Sequence, residues 1–421
     1  MAVPAVSGTA AQTRASALRR HVRAAGGFSL VELMIAMVLG LLVAEGIYVL
    51  FAAAGKFNTT QTALARLQEN GRIATDLIAS DLRAAGRLPC GSKTSPLVFT
   101  NALPDHIAGR PADAHAPSDV AGGVPYPLDR SIFLGGSSCT ANNCSPAISG
   151  IPRAGLEVGD KVRGTDVLTV RYLQGEGLPA DSKSQVCGSD GTIAAINIRA
   201  TPGDIVLDGL KSSHLALLAG CTQAQIFQVA LQGGAVQPVQ GNLGAPKCST
   251  TDAQTRLFDL DAQLQTSVYY LQLAEDDKKP GRKIAVLMRR NNNIASEVVQ
   301  GVERLDLRYS LTDTAGNAHW LNADELSRHV AADGGALQCG PSGAPRQCSW
   351  KDIDAVEISL LLNSVDDLPA EDSANAWDYR YSVDSDQPQR PAAAMPVTGL
   401  PPGRMLRYEF RTVVALRGLA T

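Results

Sequence analysis

From Phe28 to Phe51 every residue is apolar or glycine except Ser29, Glu32 and Glu45. As an α-helix these 24 residues would span ~36 Å, enough to cross a hydrocarbon core of ~30 Å. The pattern then changes without a break. In LARLQENGRIATDLIASDLRAAG, Leu64, Leu67, Leu77, Ile78 and Leu82 recur at three- and four-residue steps with charges between them. That spacing predicts an amphipathic helix laying one face on a core. No proline falls between Pro4 and Pro89, and Gly86 followed by Pro89 is a stop signal. One helix is therefore expected over 28–86, apolar all round at first and one-sided later. Gly71 should weaken it locally by ~1 kcal/mol.

Beyond residue 160 the period drops to two. GTDVLTVRYL (164–173), HLALLAG (214–220), AQIFQVAL (224–231), IDAVEISLLLN (353–363) and MLRYEFRTVVALRG (405–418) read as strands. TSVYYLQLA (266–274) and RKIAVLMRR (282–290) flank the charged tip EDDKKPG and predict a hairpin. In GVERLDLRYSL, Leu305, Leu307 and Tyr309 point one way and Asp306 and Arg308 the other. A long helix followed by antiparallel strands with one wet face is an α+β arrangement. The expected fold is a membrane-embedded helix packed on antiparallel sheet in a large globular domain, 87–421, with loop insertions. Residues 91–160 are dense in Pro, Gly, Ser and Ala, with strand-like text only at 97–99 and 131–135. They read as a functional surface insert or a partly disordered one. Region 319–349 offers little beyond a two-cysteine loop.

Composition narrows the class. Of 421 residues, 45% are apolar and 19% charged, which excludes a polytopic membrane protein. The net charge of -3 hides an asymmetry, because residues 1–27 hold Arg14, Arg19, Arg20 and Arg23 and no acid. Without them 34 basic residues face 41 acidic ones, giving -7 and no electrostatic reason to expect a nucleic-acid partner. The eight cysteines, Cys90, Cys139, Cys144, Cys187, Cys221, Cys248, Cys339 and Cys348, all follow the apolar run. Even number and one-sided placement suit disulfides in an exported, oxidising compartment. Cys139–Cys144 and Cys339–Cys348 are the first pairings to expect, being close in sequence.

Catalytic chemistry is not signalled. The histidines, His21, His106, His115, His214, His319 and His329, form no HExxH or HxxxH, and a lone loop histidine is ordinarily solvated. No GxxxxGK[ST] or GxGxxG provides a phosphate loop. GGSSC at 135–139 lacks the strand–elbow–helix context that would make Ser137 or Ser138 a nucleophile. SLTDTAGNAHW lacks the alternating oxygen ligands and closing glutamate of a calcium loop and reads as a hairpin turn. The acidic tract 365–386 could hold calcium or a partner, but a solvated loop is the default. No enzyme, metal or cofactor is expected.

The leader carries the most specific motif. Arg19, Arg20 and Arg23 ahead of the span predict a cytoplasmic N-terminus. In an ordinary secretory signal small residues follow the apolar run; here Gly26 and Gly27 precede it. The alternative is an uncleaved signal anchor. This arrangement resembles the class III signal of type IV pilins and pseudopilins, in which a prepilin peptidase cuts after the last glycine. The resemblance implies a cleaved leader of 1–27, cleavage between Gly27 and Phe28, and N-methylation of Phe28. It also implies pairing of Glu32 with the Phe28 amine of a neighbouring subunit during assembly. The bland reading of Glu32 is a carboxylate that snorkels to the headgroups. Glu45 departs from the family pattern. It could be uncharged, could snorkel outward, or could face another subunit.

Seven segments sharpen the resemblance: LQENGRIATDLIASDLRAAG with Cys90, GTDVLTVRYL, AGCTQAQIFQVA, PGRKIAVLMRR, VVQGVERLDLRY, AVEISLLLNS and FRTVVALR. In order, they are similar to the PilW family of minor pilins. The likeness implies a single-pass inner-membrane protein with a periplasmic body, later at the pilus tip. It further implies a part in priming assembly, twitching motility and adhesion. Implied partners are other minor pilins, the major pilin, prepilin peptidase, the inner-membrane assembly machinery, a tip adhesin and membrane lipid. A large minor pseudopilin of type II secretion is the alternative.

Overall fold

The computed structural model describes residues 29–86, 98–99, 133–140, 143–147, 150–198, 210–220, 223–232, 234–239, 246–248, 254–292, 294–331, 334–340, 345–368 and 405–416. The chain divides into two compact units, 1–58 and 59–421. One helix, α1 (Leu30–Ala84), runs through the division. In the first unit it has no core to bury. Leu30, Leu41, Leu50 and Phe51 are 70–82% exposed, so its surface is apolar all round.

In the second unit α1 becomes one-sided, as its spacing predicts. Ala63, Leu67, Gly71, Ala74, Ile78 and Leu82 are buried, a stripe of three- and four-residue steps, with Leu64 and Leu77 packed at its margin. The stripe is rich in small residues, and Gly71 shows why. A Cβ there would fall 2.2 Å from the ring of Phe410, so the position is glycine to admit an aromatic ring. The helix ends where expected. Gly86 has φ 62, and its amide donates to the Arg171 carbonyl at 3.2 Å, tying the helix end to the sheet.

The principal strands are β1 (Leu134–Cys139), β2 (Val167–Leu173), β3 (Leu215–Ala219), β4 (Gln223–Gln232), β5 (Arg256–Asp259) and β6 (Leu264–Glu275). They continue with β7 (Lys283–Asn291), β8 (Ile294–Gln300), β9 (Val302–Thr312), β10 (Ile353–Asn363) and β11 (Arg407–Ala415). The first sheet runs β8-β7-β6-β2-β1 and ends on Cys144–Ser145; the second runs Ala318–Leu321, β9, β10, β11. The third is built around β5-β3-β4, with Leu178–Pro179 on one side. On its other side lie Ala235–Pro238, Ile193–Asn197 and Gln185–Cys187. The α+β class is as expected, and the β6–β7 hairpin pairs from Ser267↔Asn291 to Glu275↔Lys283.

One large core joins the buried stripe of α1 to the first two sheets through Phe133, Leu168, Tyr269, Leu287, Leu305, Tyr309 and Leu360. Alternation does the sorting, with Leu305, Leu307, Tyr309 and Leu311 inward and Arg308 exposed. The third sheet is apolar on both faces. Leu217 and Ile226 reach the large core, while Ala216, Leu218 and Phe227 build a second one with Val229, Val236 and Leu257.

The strand-like text at 131–135 runs into a strand, since β1 starts at Leu134 and pairs with β2 from Leu134↔Val170 to Ser137↔Val167, so part of 91–160 is sheet. Its glycines are there for packing: a Cβ on Gly136 would fall 1.9 Å from the Tyr309 hydroxyl. Region 319–349 is also more than a loop. Helix Ala323–Ser327 opens with a capping box from Asn322 and Glu325, and the hairpin Gln338–Cys339/Arg346–Gln347 follows.

Three disulfides close the described body: Cys139–Cys144, Cys339–Cys348 and Cys187–Cys248. The first two are the sequence-local pairs. Cys90 and Cys221 lie outside the described residues.

Candidate functional site

The candidate site is the start of α1 together with the device that mounts the helix on the body. Gly27 and Phe28 lie outside the described residues. Ser29 opens the helix: its hydroxyl accepts from the Val31 amide at 3.2 Å, and its carbonyl from Leu33 at 3.1 Å. Glu32 stands in the first turn, where the helix dipole favours an anion. Its side chain is exposed, among Leu30, Val31 and Leu33, which are exposed too. An exposed carboxylate on an apolar helix surface can accept a cation from outside the chain. Among the described residues it has no neighbour with which to do acid–base chemistry.

The mount is a buried polar cluster that the sequence did not disclose. Asp81 lies on the core side of α1, 5% exposed. Its carboxylate accepts from Tyr269 Oη at 2.6 Å and Tyr172 Oη at 3.2 Å. Arg289 pairs with it at 2.8 Å and donates to the Ser267 hydroxyl at 3.1 Å. One helix carboxylate thus holds β2, β6 and β7. Burial, with the Asp81 charge second, pushes the hydroxyls of Tyr269 and Tyr172 above the ordinary phenol range. Both therefore stay donors.

A second buried carboxylate joins the first two sheets. Asp166 accepts from Cys139 N at 3.0 Å and Leu307 N at 2.9 Å, and its own amide donates to the Leu305 carbonyl. Burial pushes its carboxyl up to about 7, with nearby Asp306 adding to the rise and the two amides and Lys161 opposing it. Lys161 is buried with its ammonium on the Thr165 and Val162 carbonyls, and burial lowers it to about 8.

The described histidines are not solvated singletons, which corrects the sequence expectation. His214 Nδ1 lies 2.9 Å from buried Asp259, His319 Nε2 lies 2.8 Å from Asp313, and His329 Nδ1 lies 2.6 Å from the Cys348 carbonyl. The first two pairs depend on strand neighbours that a motif search does not see. His21, His106 and His115 are outside the described residues. His214, Asp259 and Asp261 offer ligand atoms within 4.8 Å of one another. Their oxygens already serve the fold: Asp259 caps the turn at Asp261 and Ala262, and Asp261 accepts from Leu215 N. Ser137 donates to the Pro146 carbonyl at 2.6 Å and is no nucleophile elbow. Asp313 accepts from Ala315 and Asn317 within its own turn. With the His319 hydrogen bond leading, its carboxyl is held down at about 2, so this is a hairpin turn. At the start of the acidic tract, Asp366 and Asp367 pair with Lys278, Lys279 and Arg282. From 369 the tract lies outside the described residues.

With no catalytic set among the described residues of this site, the comparisons carry weight. Residues 22–44 match the prokaryotic N-terminal methylation motif. Residues 268–418 match the family of Type IV Pilus-assembly protein W. Together the two matches support a pilin of the type IV pilus similar to PilW. The PilW match begins inside β6, taking in its last 8 of 12 residues, and continues through β11, hence most of the first two sheets. The methylation motif covers the first turns of α1, including Glu32. Neither includes the third sheet. No curated protein and no solved structure matches the chain. The methylation motif lies on the one described helix that is long and apolar enough to cross a membrane, which supports a single-pass anchor.

Proposed function

We propose that this protein is a PilW-like minor pilin, cut by prepilin peptidase between Gly27 and Phe28 and methylated on Phe28. It then joins other minor pilins in a tip complex that primes pilus assembly, in support of twitching motility and adhesion. The observation that carries the reading is Glu32. It is a lone carboxylate in the first turn of an exposed apolar helix, directly behind a Gly–Phe junction. Such a group is costly to leave unpaired in lipid, and the freed amine of a neighbouring Phe28 is a partner at the right end of the helix. The bulk of the body supports a tip position, because unit 59–421 is large to stack repeatedly along a shaft. The body is periplasmic before assembly and surface-exposed after it.

Two measurements test this. The intact mass of the mature protein should correspond to a chain starting at Phe28 with one added methyl group; a chain that retains Arg23 overturns the reading. Glu32→Gln should leave membrane insertion intact and abolish incorporation into pili. Normal piliation in that variant removes the pairing role.

A further inference from the structure

Glu45 is the one charge of the apolar span that the proposed function does not use. It is exposed, and no described residue forms a hydrogen bond or ion pair with it. The cation nearest along the helix is Lys56. Eleven residues on, it lies about 17 Å away along the axis, beyond the three- or four-residue step at which helix pairs meet. With Phe28 at the cytoplasmic edge, Glu45 lies about 26 Å along the helix, inside a core of ~30 Å. Around it on the helix are Val38, Leu41, Leu42 and Val49, all exposed and apolar.

Its direction separates it from Glu32. Thirteen residues carry the helix through about 1300°, so the two carboxylates stand about 140° apart and about 20 Å apart along the axis. A single neighbouring helix that meets Glu32 at its end does not also meet Glu45. An ionisable group inside a span calls for a partner of complementary charge.

We propose that Glu45 is a second docking point in the membrane. Its partner is a transmembrane helix of a different pilus-system protein presenting a lysine or arginine at that depth. A second copy of this chain fits poorly. In register it sets Glu45 against Glu45, and Lys56 is the only cation between Phe28 and Arg66. Reaching Glu45 with it requires a slide of about 17 Å. The proposal rests on the pilin reading and gives its span two neighbours instead of one.

The test uses the full chain in its own membrane, with a photo-crosslinking residue in turn at Leu41, Val49, Ala36 and Val43. The first two flank Glu45 and the last two lie on the far side of α1. Leu41 and Val49 should give at least fivefold more adduct than Ala36 and Val43. The adduct should be with one membrane protein carrying a basic residue in its span. Glu45→Lys should lower that adduct at least tenfold, and reversing the partner's basic residue to glutamate should restore it. Adducts only with lipid, adducts only with a second copy, or adducts unchanged in Glu45→Lys and Glu45→Gln overturn the proposal. The mature N-terminus is measured in every variant. A chain starting at Phe28 with unchanged adducts overturns this proposal alone; a chain retaining Arg23 overturns the pilin reading with it.

Discussion

Replacing Asp81 by alanine tests whether one carboxylate mounts the helix on the body. The change removes an acceptor shared by Tyr269, Tyr172 and Arg289 at 2.6, 3.2 and 2.8 Å. It leaves the Arg289 guanidinium without its counter-charge, held only by the Ser267 and Tyr172 hydroxyls. Breaking a buried ion pair by deleting one partner costs about 3–5 kcal/mol. The Asp81 side chain is 7% exposed and that of Arg289 21%. Water therefore reaches the arginine in part, and the lower end applies, ~3 kcal/mol. That is a large share of a typical domain stability of 5–15 kcal/mol. The assay is urea unfolding of the mature chain in detergent, followed by tryptophan fluorescence, with hydrogen exchange read across 74–84. The midpoint should fall at unchanged slope, and protection should drop first at the end of α1. The control is the double variant Asp81→Leu/Arg289→Met, which removes both charges and should recover at least half of the loss. A loss below ~1 kcal/mol, or a double variant as costly as the two single changes summed, refutes the idea of a coupled mount.

Three further outcomes follow from the packing. Gly71→Ala gains ~1 kcal/mol of helix propensity but drives a methyl into the Phe410 ring, a clash costing about 1–3 kcal/mol. A net loss is expected, relieved in Gly71→Ala/Phe410→Leu, as thermal melts will show. Opening Cys187–Cys248 by serine substitution should cost more than opening Cys139–Cys144. The sequence separations are 61 and 5, and loop-closure entropy gives about 4 against about 2 kcal/mol. Asp166 titrates at about 7 in the fold, raised from 3.8. Between those values the unfolded chain holds fewer protons than the folded one, so its contribution to stability falls as pH rises. Asp166→Asn should flatten the dependence of the urea midpoint on pH across that window.

What could be read from sequence was whatever repeats locally. The α1 stripe from Leu64 to Leu82 and the strands β6, β7, β9 and β10 follow from spacing alone, because the buried face repeats every 3.6 or 2 residues. What stayed hidden depended on a distant neighbour. Asp81 looked like one of the charges between apolar positions, yet it faces the core, because Arg289 lies across the chain to receive it. Gly71 looked like a weak point until Phe410 stood against it. LGGSSC lacks the β-branched and aromatic residues that mark strands, but its glycines fit β1 beneath Tyr309. Of the site itself, the methylation motif over 22–44 was legible because it is contiguous. The Asp81 cluster was not, since its members come from four separated elements.

The contact between Gly71 and Phe410 has a consequence for the order of biosynthesis. The ring that fills the notch in α1 sits on the last strand, about 340 residues downstream. At 5–20 residues per second, roughly 17–70 s separate synthesis of the two. Throughout that interval the helix face around Gly71 has been made and its cover has not. A newly made chain is therefore open longest at this seam, and a chaperone that shields the Leu67–Leu82 face has its working window there.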